Sequence, residues 1–199
     1  MAKKFTGGEG EQPLFKPPPG SSPLAERMRP GTFEEFTGQR HLVGESGVIR
    51  KMLERHSIRS MILWGPPGSG KTTLARLLAT KLNADFVQIN AISSGVKDLR
   101  EIIDSAEKAR NIGRRTVLFI DEIHRFKKTQ QAALLKNVES GTLVLIGATT
   151  ENPSFEVISP LLSRSSVYVL EALTREDLET LLDRALEEDE IIKGTLVTP

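Results

Sequence analysis

The eight residues Gly65-Pro66-Pro67-Gly68-Ser69-Gly70-Lys71-Thr72 constrain this chain more than any others. They match G-x-x-x-x-G-K-[ST] and stand between an apolar run, Met61-Ile62-Leu63-Trp64, and a helical stripe of Leu74, Leu77, Leu78 and Leu82. A strand that passes through such glycines into a helix turns backbone N–H groups around phosphates and aims the positive helix N-terminus at them. In this pattern Lys71 reaches the β- and γ-phosphates, and the Thr72 hydroxyl ligates magnesium. Gly65 through Gly70, Lys71, Thr72 and Thr73 are therefore expected to cradle a nucleotide. A mere turn explains the motif poorly, because strand and helix flank it in the required order.

The same alternation runs along most of the chain. Phe86–Ile89, Val117–Ile120, Leu143–Ile146 and Val167–Leu170 read as further strands. Val96, Leu99, Ile102, Ile103 and Ala106 mark one helix face between them, and Leu134, Leu135 and Val138 another. Short apolar strands alternating with helices predict an α/β fold with a five-stranded parallel sheet between helices over residues 23–170. Thr174 then opens another helix, with Asp177 placed for a capping box and Leu178, Leu181, Leu182, Ala185 and Leu186 as its stripe. One amphipathic helix does not bury its own face, so 171–199 reads as the first part of a further helical domain.

Six of the eleven prolines fall in the first 30 residues. Residues 1–22 thus read as a flexible Pro/Gly-rich arm. Its apolar island, Gln12-Pro13-Leu14-Phe15, loosely resembles motifs that dock on the bacterial sliding clamp but is one residue short. A sticky spot in an arm is the plainer account.

The chain has no cysteine, which excludes disulfides and thiolate-zinc sites and points to a reducing interior. With no membrane span and no secretory signal, a cytoplasmic protein is expected. Residues 171–193 carry nine acidic and three basic side chains, while residues 1–170 hold 24 basic and 17 acidic ones, a net of +7. That body attracts a phosphate backbone, or is an ordinary solvated surface. Arg100, Arg110, Arg114, Arg115, Arg125, Lys127 and Lys128 are open to the same two readings.

Fifty residues after Lys71, the third strand ends in Asp121-Glu122. Beside a phosphate loop, the first carboxylate is placed to hold magnesium and the second to polarise an attacking water. His124 completes D-E-x-H, although a histidine there more often simply closes a strand. His41 and His56 have no metal-ligand partners at useful spacing. Asn90, after the second strand, is a candidate to hydrogen-bond Glu122 and hold it inactive until a partner binds; a turn-forming asparagine is the alternative.

Together these segments resemble AAA+ ATPases of the branch containing clamp loaders and RuvB-type junction motors. Met28-Arg29-Pro30 and Phe33 to Gln39 look like that branch's adenine-cupping segment, Gly147-Ala148-Thr149-Thr150 like its sensor 1 with Thr150 sensing, and Leu162-Ser163-Arg164 like its arginine-finger motif. Pro23–Pro30, Ser94–Arg100, Gly147–Phe155 and Leu161–Arg164 are more narrowly similar to the family of replication-associated recombination protein A. The resemblance implies ATP and Mg2+ as cofactors, a homo-oligomer, and DNA forks or single-strand/duplex junctions as partners. Replication, recombination and repair are the implied setting, near the nucleoid, with single-strand DNA-binding protein or the sliding clamp as further candidates. Such ATPases carry a sensor-2 arginine and an oligomerising region that this sequence lacks, so an N-terminal ATPase fragment is expected. Two other readings stay open: a superfamily-2 helicase core, suggested by D-E-I-H followed by G-A-T-T, and a non-hydrolysing subunit of a clamp-loader-like assembly.

Overall fold

The computed structural model describes residues 22–55, 57–91 and 95–196. The Gln12–Phe15 island, His56 and Ser94 lie outside them. Among the described residues, short helices α1 (Leu24–Arg27), α2 (Arg40–Val43) and α3 (Val48–Glu54) precede β1 (Met61–Trp64) and α4 (Lys71–Lys81). Next come β2 (Ala84–Asn90), α5 (Val96–Asn111), β3 (Arg115–Asp121), a 3-10 turn over Ile123–Arg125, α6 (Lys128–Glu139) and β4 (Val144–Thr149). The series closes with α7 (Pro153–Glu156), α8 (Ser159–Leu162), β5 (Ser166–Val169), α9 (Arg175–Glu188) and α10 (Glu190–Leu196).

The strands form one sheet in the order β2-β3-β4-β1-β5, and every pairing is parallel. Strand alternation feeds two separate cores. Met61, Leu63, Val117, Phe119, Ile146 and Ala148 point to the side packed with Leu74, Leu77 and Leu78 of α4. Ile62, Leu118, Ile120 and Leu145 point to the side covered by Leu99 of α5, Leu134 of α6 and Leu161 of α8. Both faces are buried, so these strands read as continuous apolar runs in the sequence.

The described residues group into two compact units, one spanning residues 30–181 and the other combining those up to 29 with those from 182 onward. The Thr174 capping box is present: the Asp177 N–H donates to Thr174 Oγ1 at 3.2 Å, and the Thr174 N–H to Asp177 Oδ2 at 3.0 Å. At the sheet edge, the Ser166 and Leu170 N–H groups bond toward β1, to the carbonyls of Ser60 and Trp64. Val167 and Val169 therefore turn outward, and His41 Nε2 lies 2.9 Å from the Val169 carbonyl. No helix among the described residues is long and apolar enough to cross a membrane.

Candidate nucleotide site

In a parallel sheet all strand ends of one kind share an edge, and that rule assembles this site. Trp64 of β1 pairs with Thr149 of β4, and Ile120 of β3 pairs with Gly147 of β4. The loop 65–70, the Thr149-Thr150 pair and the Asp121-Glu122 pair therefore meet at the carboxyl edge. Asn90, the last residue of β2, pairs with Asp121 and stands on the same rim.

The phosphate loop has the backbone its glycines permit. Gly68 and Gly70 have φ of +76° and +93°, and Gly70 is the N-cap of α4. A Cβ on Gly70 would lie 2.9 Å from Phe36 Cζ, so the segment ahead of β1 presses directly on the loop. Gln39 completes that brace. Its amide nitrogen donates to the carbonyls of Ser69 at 3.3 Å and Glu171 at 2.7 Å, and its oxygen accepts the Glu171 N–H at 2.9 Å. Both amide hydrogens are thus committed to the backbone, leaving one lone pair for any ligand contact.

Lys71 is buried, and its ammonium donates to the carbonyls of Gly65 at 2.7 Å and Pro66 at 2.8 Å. Burial pulls it below the ordinary lysine range, and the charges of Glu122 and Asp121 oppose that pull. Among the described residues Ser69 Oγ is buried with no partner, and such an orphan suits a loop shaped to take acceptor oxygens from a ligand. Among the described residues no group of three or more histidine, aspartate or glutamate side chains forms a metal cage. The donors present fit magnesium of the phosphate-bridged kind, which takes one or two protein oxygens and completes its shell with phosphate and water. Thr72 and Asp121 would be the residues to supply them.

Glu122 sits in the left-handed region, with φ 53° and ψ 49°. A bulky residue there is strained, and strain of that kind collects at functional sites. Its N–H donates to Asp121 Oδ1 at 3.1 Å. Its own carboxylate lies 3.2 Å from His124 Nδ1, and the same nitrogen lies 3.0 Å from Thr149 Oγ1. Thr150 receives the Trp64 indole N–H on its carbonyl at 3.3 Å. Both His124 and Thr149 are in view from the sequence, but there the first fits a strand-closing histidine better and the sensing role falls to Thr150, so the contact of His124 with Glu122 and Thr149 is the part missed. The D-E-x-H spacing was the available signal.

Arg164 is not on this rim. Two residues after it, Ser166 pairs with Met61, the first residue of β1, whereas the phosphate loop follows the last. At about 3.3 Å per residue, β1 alone separates the two ends by about 10 Å. Its guanidinium pairs with Glu139 and donates to the Pro160 carbonyl at 2.8 Å.

Residues 61–171 match the model of the ATPase family associated with various cellular activities (AAA). The chain is 53% identical over 166 residues to replication-associated recombination protein A of Escherichia coli (strain K12), covering 83% of this chain and 37% of that protein. It is 50% identical to the ATPase WRNIP1 of Dictyostelium discoideum, covering 83% of this chain and 19% of that one. The chain thus spans little more than a third of the bacterial relative's length, and less of the other's. Among solved structures it is similar to the RuvB Holliday junction branch migration motor of Thermotoga maritima, with a TM-score of 0.66 and 32% identity, covering 80% of this chain and 54% of that one.

Proposed function

Because the chain belongs to the AAA ATPases and, among them, to the family of replication-associated recombination protein A, we propose that it is a Mg2+-dependent ATPase module that works on DNA at stalled replication forks. The observation that carries this reading is the shared edge: one rim holds a phosphate loop, a buried lysine and the Asp121-Glu122 pair. In this reading the backbone of 65–70 and Lys71 hold the phosphates, and Gln39 keeps the loop in shape. Thr72 and Asp121 would hold magnesium, which would supply positive charge to the phosphates. Glu122 orients and polarises the attacking water, Thr150 senses the γ-phosphate from the tip of β4, and Asn90 acts on Glu122 from the end of β2.

Arg164, on the opposite rim, serves a neighbouring copy rather than its own site, which makes the working form a homo-oligomer. The AAA family match and the RuvB likeness favour this over a superfamily-2 helicase core. The presence of Lys71, Thr72, Asp121 and Glu122 together favours it over a non-hydrolysing subunit. DNA of forked form, with single-strand DNA-binding protein or the clamp nearby, is the proposed substrate setting in a cytoplasmic, nucleoid-associated protein.

Fluorescent-ATP titration beside phosphate release tests the core of this reading. Lys71→Ala is expected to weaken binding, and Glu122→Gln to keep binding while lowering turnover by about 10²–10⁴-fold. Normal turnover in Glu122→Gln would remove that residue from the mechanism. Forked DNA is expected to stimulate hydrolysis, with the stimulation falling steeply as salt rises.

A further inference from the structure

One side chain at the site is still without a role. His124 lies in the 3-10 turn just after β3, with its side chain only 10% exposed. Its Nδ1 is 3.0 Å from Thr149 Oγ1 and 3.2 Å from Glu122 Oε2. The place of the proton follows by elimination. The Thr149 hydroxyl has one hydrogen, which it donates to the Glu151 carbonyl at 3.2 Å, and it accepts the Glu151 N–H at 3.0 Å. Toward the imidazole it is therefore an acceptor, and a carboxylate only accepts. Nδ1 must carry the hydrogen and share it between the two oxygens.

Thr149 is fully buried, and its backbone carbonyl takes the N–H of Gly65, the first residue of the phosphate loop, at 3.1 Å. One residue thus holds the phosphate loop through its main chain and His124 through its side chain. A histidine that merely closed a strand would need neither contact.

We propose that His124 is a positioning residue for Glu122: its Nδ1–H ties the carboxylate to Thr149, so the water-polarising group follows the β4 tip and the phosphate loop fixed to it. This role rests on the reading of Glu122 given above. A misplacement of about 1 Å at a reacting group costs up to about 10²-fold in rate, so the tie governs turnover while leaving nucleotide affinity alone.

The test uses five variants with three measurements: fluorescent-ATP affinity, single-turnover hydrolysis with protein in excess, and imidazole 15N spectra. His124→Ala is expected to bind ATP normally and hydrolyse it about 10- to 100-fold more slowly. His124→Asn, whose amide N–H falls near the place of Nδ1–H, restores most of the rate. His124→Gln, whose donor falls near Nε2 instead, does not. Added to Glu122→Gln, His124→Ala causes no further loss. In the wild-type spectrum Nδ1 is protonated. A fully active His124→Ala beside an inactive Glu122→Gln would overturn the positioning role alone, as would additive losses or an unprotonated Nδ1. A fully active Glu122→Gln would overturn that role together with the reading of Glu122 itself.

Discussion

Arg27 and Asp189, 162 positions apart, are joined by two nearly parallel hydrogen bonds, Nε to Oδ2 at 2.7 Å and Nη2 to Oδ1 at 3.0 Å. The same carboxylate accepts the N–H groups of Ile191 at 3.1 Å and Ile192 at 3.0 Å, so it also caps α10. The first described helix and the last are thereby fastened at one side chain. The guanidinium and those N–H groups hold the Asp189 carboxyl down at about 2, below its ordinary 3.8.

A depressed carboxyl stabilises the folded chain above its unfolded pKa and loses that contribution as pH falls toward its folded one. Asp189→Asn keeps a capping acceptor and removes the charge. It is expected to melt a few degrees below wild type at neutral pH. The gap should hold down to a pH of about 4 and close between 3.8 and about 2. Thermal melts across that range decide it, and a gap that ignores pH would mean the ion pair contributes nothing.

The rim position of Arg164 leads to a complementation experiment. On the reading proposed above, in an assembling form of the protein Arg164→Ala would spoil what a subunit gives its neighbour, and Glu122→Gln would spoil its own site. Each alone should be nearly inactive, since fingers of this kind contribute about 10³–10⁵ in rate. After subunit exchange in equal parts, about a quarter of interfaces pair a sound site with a sound finger, because each subunit gives one half-site to each contact. Phosphate release should recover to a visible fraction of wild type. Activity that stays at the mutant floor despite proven exchange would rule out action in trans.

Gly147 offers a probe of the packing beneath Glu122. A Cβ there would stand 2.7 Å from Ile123 Cδ1 and 2.8 Å from Ile62 Cδ1, both fully buried. Gly147→Ala must displace Ile123, the residue next to Glu122. It is expected to cost about 1–3 kcal/mol in denaturant unfolding, as overpacked cores do. Turnover should fall more than nucleotide affinity. An equally stable and equally active variant would show that the isoleucine tips move aside freely.

The phosphate loop, the five strands and the Thr174 capping box could be read from the sequence because each is local: a spacing, a period or a three-residue reach. The relations that set the chemistry are not local. Successive residues of a strand point to opposite faces, so which of Thr149 and Thr150 meets His124 depends on the register of β4 against β1. Arg164 is separated from its own phosphate loop only because β5 pairs with β1, the strand whose other end carries that loop. Gln39 is legible in the sequence as part of the segment ahead of the phosphate loop, but its brace is not, until the fold brings Ser69 and Glu171 to either side of its amide.

The outward-facing groups of β5 bear on how the molecule behaves when crowded. An edge strand with a long free row of N–H and C=O groups invites another chain to extend the sheet. Here the row is four residues long, and half of its groups already face β1. His41 then occupies the Val169 carbonyl with a donor of its own. What remains for a stray strand is little more than the peptide groups flanking Val167, too short a ladder to hold one. With β5 blunted in this way, strand addition at this edge is discouraged even though Val167 and Val169 leave apolar surface beside it.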